Sequence, residues 1–178
     1  MWNGHTSQVG VLGKKSGFTS NLAKEHLGAT KGPTFWHAQQ FHFHSPSEHT
    51  FDGEYHDLEM HTVHYPEGEN KDNGYLAAAL GIMFSVDKYT AQLTAAERMV
   101  IDNFFESLKW EQGHDQYGNV PIVTNMVAYG DLVNIVDFHN RWIYQGSVTT
   151  PPCAQKVFWN ELSTIYPISK ETLVNFKK

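Results

Sequence analysis

The chain has 178 residues, which is enough for one domain with a substantial hydrophobic core. Hydrophobic residues make up 40% and charged residues 18%, which excludes a disordered chain and a coiled coil. The 13 basic and 19 acidic residues give a net charge of −6, so nucleic acid is not an expected partner. The longest near-apolar run, residues 76–84, is too short for a membrane span, which needs about 20 residues. The single cysteine excludes an internal disulfide framework and a cysteine-built zinc site.

The first half of the chain predicts three strands. Aromatic, alternating sequence predicts the first over residues 34–44, and the proline at position 46 ends it. The second is predicted over 55–65. The apolar run 75–86 contains alanines that favour a helix, but its flanking loop and its Ile-Met-Phe step favour a strand, which we predict.

The second half adds two predicted helices and two predicted strands. Thr94 and Glu97 form a capping-box pattern that begins a helix over 94–108, whose apolar stripe is expected to pack in the core. The other predictions are a loop at 111–121, an unassigned region at 122–140, strands at 141–147 and 155–160 around a turn at 149–152, and a short helix at 169–176. Because strands predominate, we expect a mainly β (α+β) domain with a large central sheet and a few peripheral helices.

Histidine is the unusual residue of this composition. There are 11, and seven lie between positions 37 and 64. These are His37, His42, His44, His49, His56, His61 and His64. Side chains alternate along a strand, so His42 and His44 share one face of the first strand, and His61 lies on one face of the second. If the strands are neighbours, three imidazoles converge, an arrangement typical of a catalytic zinc site whose fourth position is left for water.

Two further residues fit this metal site. Gln40 lies two positions before His42, and Glu59 two positions before His61, each on the same face as its histidine. Metal-bound histidines usually donate their other N–H to a carboxylate or carbonyl oxygen, so these residues could fix the imidazole tautomers. The alternative is that a His-x-His pair arises by chance or at the surface. The remaining histidines are interpreted as structural or surface residues, with His49 and His64 as candidates for core hydrogen bonds.

A second metal site is also compatible with part of this region. The spacing of His42, His44 and Glu48 matches the first cupin motif, which would make Glu48 a ligand and iron or manganese the metal. That motif expects a glycine at position 55, where this chain has Tyr55. The second cupin motif is not evident after His61. A cupin-type metalloprotein is therefore the remote alternative.

Two separated segments resemble the α-class carbonic anhydrases. Residues 40–50 together with 59–64 resemble the zinc-binding region of that family, and residues 146–153 resemble its active-site turn. Residues 3–5 resemble, more weakly, the segment that carries the proton-shuttle histidine. The short Ser-Pro step at 45–46 is more similar to bacterial, plant or protist members than to animal ones. The resemblance implies a mixed, mostly antiparallel sheet and a zinc lyase that reversibly hydrates carbon dioxide to bicarbonate and a proton.

The resemblance also implies a role for individual residues. It implies that His42, His44 and His61 bind Zn²⁺, with Gln40 and Glu59 as their hydrogen-bond partners. It further implies a hydroxide-binding threonine (Thr149), a carboxylate that orients it (Glu48), a proton shuttle (His5), a residue bordering the bicarbonate site (Thr150) and an apolar wall for carbon dioxide (Val63, Ala79, Val148, Val157 and Trp159). Ala79 is small where many members carry a larger aliphatic residue.

The resemblance leaves the extent of the domain, the state of Cys153 and the presence of catalysis open. The family's domain normally extends beyond both ends of this chain, so we expect one domain over 1–178 with incomplete flanks. Cys153 resembles a position that often pairs with a cysteine near the N-terminus, which suggests a secreted or lumenal parent protein, although a lone buried thiol also fits. A carbonic-anhydrase-like domain without catalysis is the alternative function. The sequence does not indicate the oligomeric state.

Overall fold

The computed structural model describes residues 8–11, 16–109 and 127–177, which form seven strands and four helices. The strands are β1 (Gln8–Gly10), β2 (Gly17–Ser20), β3 (Thr34–His44), β4 (Leu58–Glu67), β5 (Ala77–Ser85), β6 (Arg141–Ser147) and β7 (Gln155–Pro167). The helices are α1 (Leu22–His26), α2 (Ala95–Ser107), α3 (Tyr129–Ile135) and α4 (Lys170–Phe176). Among these helices, none is both long and apolar enough to cross a bilayer. The predicted loop at 111–121 and His5 lie outside the described residues.

All seven strands belong to one sheet, in the order β1-β3-β4-β5-β7-β6, with β2 also paired to β3. The β5–β7 pair is parallel, and every other pair is antiparallel. β5 lies at the centre of the sheet, and every one of its residues is buried. A strand covered on both faces is continuously apolar, which explains why β5 resembles a helix in the sequence. The predicted fold class, a mixed and mostly antiparallel sheet with few helices, is confirmed.

Most predicted elements are present, with some shifted ends. The strands predicted at 34–44 and 141–147 have those bounds. β4 begins at Leu58 rather than Tyr55, because the backbone of His56 bonds to Ser47 instead of a strand partner. β7 continues to Pro167, seven residues beyond the prediction. The short elements β1, β2 and α1 were not predicted from the sequence, and the region of α3 was unassigned.

Aromatic packing fills one face of the sheet. The capping box that begins α2 forms as predicted, since Thr94 Oγ1 accepts from Glu97 N at 3.3 Å and Glu97 Oε2 accepts from Thr94 N at 2.8 Å. On α2, Phe105 packs against Phe43 and Phe84 of the sheet, with ring centroids 5.9 and 5.1 Å apart. Because side chains alternate along β3, the residues on either side of Phe43 point to the opposite face. The histidines lie on that opposite face.

Candidate metal centre

Three histidines from two adjacent strands converge on the face of the sheet opposite α2. His42 of β3 is paired in register with His61 of β4, and His44 lies two residues further along β3. The ring centroids are 5.0 Å apart for His42 and His44, 5.3 Å for His42 and His61, and 4.7 Å for His44 and His61. One ring nitrogen from each lies within 4.8 Å of the others. The convergence predicted from strand alternation is therefore present.

Hydrogen bonds to these rings leave one nitrogen of each available to a metal. His42 Nδ1 donates to Gln40 Oε1 at 2.9 Å, and His61 Nε2 donates to Glu59 Oε1 at 2.5 Å. The metal-binding atoms are then Nε2 of His42 and Nδ1 of His61. His44 Nε2 is buried without a hydrogen-bond partner among the described residues. Three neutral imidazole nitrogens fit a zinc ion, so the residues present suit the metal that the sequence predicts.

Burial favours the uncharged form of His42 and of His44. Desolvation, together with the nearby His61 and His44, lowers the pKa of His42 to about 3. Desolvation and the neighbouring His61 also lower the pKa of His44. An imidazole must be deprotonated at its metal-binding nitrogen, so a metal ion would displace few protons from these two rings at pH 7.

Glu59 is the buried carboxylate behind His61, and it accepts four hydrogen bonds. Its Oε2 accepts from the backbone N–H groups of Glu48 and His49 at 2.7 and 2.9 Å, and its Oε1 accepts from His49 Nδ1 at 2.6 Å and from His61. Burial alone would raise the pKa of Glu59, but the hydrogen bonds from His49 and His61 hold it well below its usual range. The other nitrogen of His49 bonds to the Tyr144 hydroxyl at 2.5 Å.

His49 and His64 both form the core hydrogen bonds that the sequence suggested, on different faces of the sheet. From the sequence, His49 was interpreted as a structural residue. In the structure, its hydrogen bond to Glu59 connects it to the metal centre. His64 Nδ1 donates to the carbonyl of Thr62 at 3.0 Å and lies on the face opposite the site. The signal that was missed is the position of His49 directly after Glu48, in the loop that closes over Glu59.

A buried apolar cluster lies beside the histidines. Ala79, Val157 and Trp159 pack together, and Val63 is the cross-strand neighbour of Ala79. The Trp159 ring contacts His61, with ring centroids 4.7 Å apart. Four of the five residues predicted to form an apolar wall therefore come together next to a predicted metal ligand.

The comparisons with known proteins agree with this geometry. The family model for eukaryotic-type carbonic anhydrases matches residues 1–178. The chain belongs to the α-class carbonic anhydrases. Carbonic anhydrase 6 of Mus musculus is 29% identical over 98% of this chain and 52% of its own length, and the carbonic anhydrase of Pectobacterium atrosepticum is 31% identical over 98% and 58%. The chain thus spans about half the length of the curated relatives that it matches.

A solved structure gives the same result for the fold. The α-carbonic anhydrase of Thermovibrio ammonificans, in complex with the inhibitor sulfanilamide, aligns with a TM-score of 0.65 and 27% identity. The alignment covers 99% of this chain and 63% of that one. An open sheet and membership of the carbonic anhydrases do not support the cupin-type alternative.

Three more of the predicted site residues lie in the turn after β6. Val148 and Thr149 are exposed, and Thr150 is partly buried. Glu48 lies beside the metal centre. Its Oε1 is 3.4 Å from Nδ1 of His44. Within the described residues, no hydrogen bond joins the Thr149 hydroxyl to Glu48, so the predicted contact between them is not formed.

Cys153 closes the same turn, where its N–H donates to the carbonyl of Thr150 at 2.9 Å. Its thiol is free and exposed. The alternative of a lone buried thiol is therefore wrong.

Glu161 is a third acidic residue beside this metal centre, after Glu48 and Glu59, and the sequence pattern did not reveal it. It is 2% exposed, on the same face of β7 as Trp159, and its Oε2 lies 3.6 Å from Nδ1 of His49. Two features of the sequence could have indicated this residue. One is the presence of an acidic residue within the apolar sequence of a central strand, and the other is a glycine, Gly81, in the neighbouring strand.

Proposed function

We propose that this chain catalyses the zinc-dependent, reversible hydration of carbon dioxide to bicarbonate and a proton. The observation that carries the proposal is the convergence of His42, His44 and His61, each with one ring nitrogen within 4.8 Å of the others, beside the apolar cluster that contains Trp159. Membership of the carbonic anhydrases supports the same reaction, and the named relatives carry that name.

Three ring nitrogens would hold the zinc ion: Nε2 of His42, Nε2 of His44 and Nδ1 of His61. Zinc would supply a Lewis acid that lowers the pKa of a water molecule to about 7, the established value for carbonic anhydrase itself. Gln40 and Glu59 fix the tautomers of His42 and His61, so the correct nitrogens carry lone pairs.

The other residues bind the substrate and handle protons. Carbon dioxide is uncharged and apolar, so the cluster of Ala79, Val157 and Trp159 suits it better than a charged pocket would. In this proposal the Thr149 hydroxyl donates to Glu48 and orients the attacking oxygen, through a hydrogen bond that the structure does not contain among its described residues. His5 passes the released proton to solvent, since an unperturbed histidine has a pKa near 6.5.

The test is sulfonamide-sensitive carbon dioxide hydration by the 178-residue chain supplied with zinc, together with its zinc content. His61→Ala removes a ligand, and we expect it to lose both zinc and activity. The matched control is His26→Ala, since His26 is an exposed residue of α1 and not one of the converging histidines. This variant should behave like the parent. Stoichiometric zinc in His61→Ala would contradict the ligand assignment.

The alternative function is a carbonic-anhydrase-like domain without catalysis. The observation that favours it is that no hydrogen bond joins the Thr149 hydroxyl to Glu48 among the described residues, so the pair that would orient the attacking oxygen is not formed. The same experiment distinguishes the two functions. A parent chain that binds zinc in a His61-dependent manner but does not hydrate carbon dioxide would support the alternative.

A further inference from the structure

Glu161 is a buried carboxyl group that no step of the proposed reaction uses. It is in register with Gly81 of β5, which is itself paired with His61 of β4, so the three residues form one row across the sheet. A Cβ atom at position 81 would lie only 1.6 Å from Glu161 Oε2. The Glu161 side chain therefore extends over Gly81, through the space that any other residue at that position would fill, towards the metal centre.

Neither oxygen of Glu161 has a hydrogen-bond partner in the part of the chain that the structure describes. Nδ1 of His49 lies 3.6 Å from Oε2, and that nitrogen already donates to Glu59. Burial and the negative charge of Glu59 raise the pKa of Glu161 well above its usual value. An unpaired polar group in a core destabilises the fold, so packing alone gives no reason for a carboxyl group here.

A short series of contacts connects Glu161 to a predicted zinc ligand. His49 Nδ1 lies 3.6 Å from Glu161 and 2.6 Å from Glu59, and Glu59 in turn lies 2.5 Å from His61 Nε2. Tyr144 holds the opposite nitrogen of His49. The His49 ring is thus bounded by a hydroxyl on one side and by two carboxyl groups on the other.

We propose that Glu161 is a positioning residue of the metal centre: its carboxyl group holds the His49 ring against Glu59 and thereby keeps Nδ1 of His61 directed at the metal. This inference rests on the proposed function, because it assumes that His61 binds zinc. It adds a residue that touches neither metal nor substrate, and it explains why Gly81 lies in the middle of a buried strand.

Two substitutions of nearly equal size test the proposal. Glu161→Met removes the polar group but keeps the length of the side chain, so the metal-free protein should unfold at a higher temperature. Its dissociation constant for zinc should nevertheless increase about tenfold, the lower end of the effect expected for residues that support metal ligands. Glu161→Gln keeps a polar group of the same length in the same place, and it should restore the zinc affinity of the parent. A role in packing alone predicts no loss of zinc affinity in either variant.

Asn160→Ala is the matched control, because Asn160 is a buried polar residue of the same strand whose side chain lies on the opposite face, where Arg141 donates to it at 3.0 Å. It should lower the unfolding temperature and leave the zinc affinity unchanged. Parent-like zinc affinity in Glu161→Met, or an equal loss in Glu161→Gln, would overturn the proposal.

A measurement without zinc separates this proposal from the proposed function. The imidazole NMR resonances of His49 in the metal-free protein should shift in Glu161→Met and remain in place in Glu161→Gln. If the parent binds no zinc, the proposed function fails, whatever these spectra show. If the His49 resonances are unchanged in Glu161→Met, the positioning role fails, even in a chain that binds zinc.

Discussion

Replacing Glu59 by glutamine changes one atom at the centre of the site. Both carboxylate oxygens accept two hydrogen bonds: Oε2 from two backbone N–H groups, and Oε1 from the rings of His49 and His61. A glutamine side chain has only one oxygen. If its NH2 group faces the two backbone N–H groups, two hydrogen bonds are lost; if it faces the rings, a hydrogen bond persists only where the imidazole nitrogen gives up its proton and accepts.

The size of the effect follows from these contacts. A hydrogen bond to a charged group stabilises a fold by about 1.5–3 kcal/mol, so the loss of two should lower the free energy of unfolding by about 3–6 kcal/mol. Zinc binding should weaken as well. If the NH2 group faces His61, that ring must accept at Nε2 and carry its proton on Nδ1, the metal-binding atom. We therefore expect the zinc affinity of Glu59→Gln to fall roughly 10- to 100-fold.

The assay is urea unfolding of the metal-free protein, followed by zinc titration against a chromophoric chelator. Glu54→Gln is the control, because Glu54 is an exposed residue of the same chemistry that pairs with Lys88 at 2.7 Å. It should change neither the urea midpoint nor the zinc affinity. The reasoning is refuted if Glu59→Gln and Glu54→Gln both behave like the parent.

Three further predictions each concern one residue. Gly81→Ala should lower the free energy of unfolding by about 1–3 kcal/mol, because the new methyl group overlaps Glu161, and an unchanged urea midpoint would contradict this overlap. Burial lowers the pKa of His64 to about 4, below the value near 6.5 in the unfolded chain, so protonation favours unfolding as the pH falls. Between pH 7.5 and pH 5 the parent should lose about 2 kcal/mol more than His64→Gln in urea unfolding, and equal losses would show that His64 does not titrate there. Thr149→Ala should keep its zinc and lose about 10²-fold in carbon dioxide hydration, whereas a parent-like rate would remove Thr149 from the mechanism.

The ligand cluster was predictable because it depends on two local properties of the chain. Alternation along a strand decides which residues share a face, and this property alone puts His42 and His44 on the same side of β3. The second property is adjacency of β3 and β4, which are consecutive strands of the chain. Sequence neighbours in a sheet usually pair, so His61 was expected opposite His42.

The Glu161 contact was not predictable, because it depends on the register of a parallel pair. β5 and β7 are separated by a long segment of chain, and nothing in the sequence of either strand indicates that Gly81 lies beside Glu161. A shift by one residue would have turned the carboxyl group to the other face. β1 and β2 were missed for a related reason. They have three and four residues, too few to show alternation, and they form because β3 offers unpaired backbone groups along its edge.

The geometry of the site depends on the packing of the opposite face. Phe43 is buried against α2, and it lies between His42 and His44 in sequence, so neither histidine can shift along the strand unless Phe43 leaves its pocket. Aromatic cores are close-packed, and a displaced ring would open a cavity that costs several kcal/mol. Because displacing Phe43 from the apolar core costs free energy, the packing of the core restricts the positions of the imidazoles. For this reason a partly exposed cluster of histidines can be held in one arrangement before any metal binds.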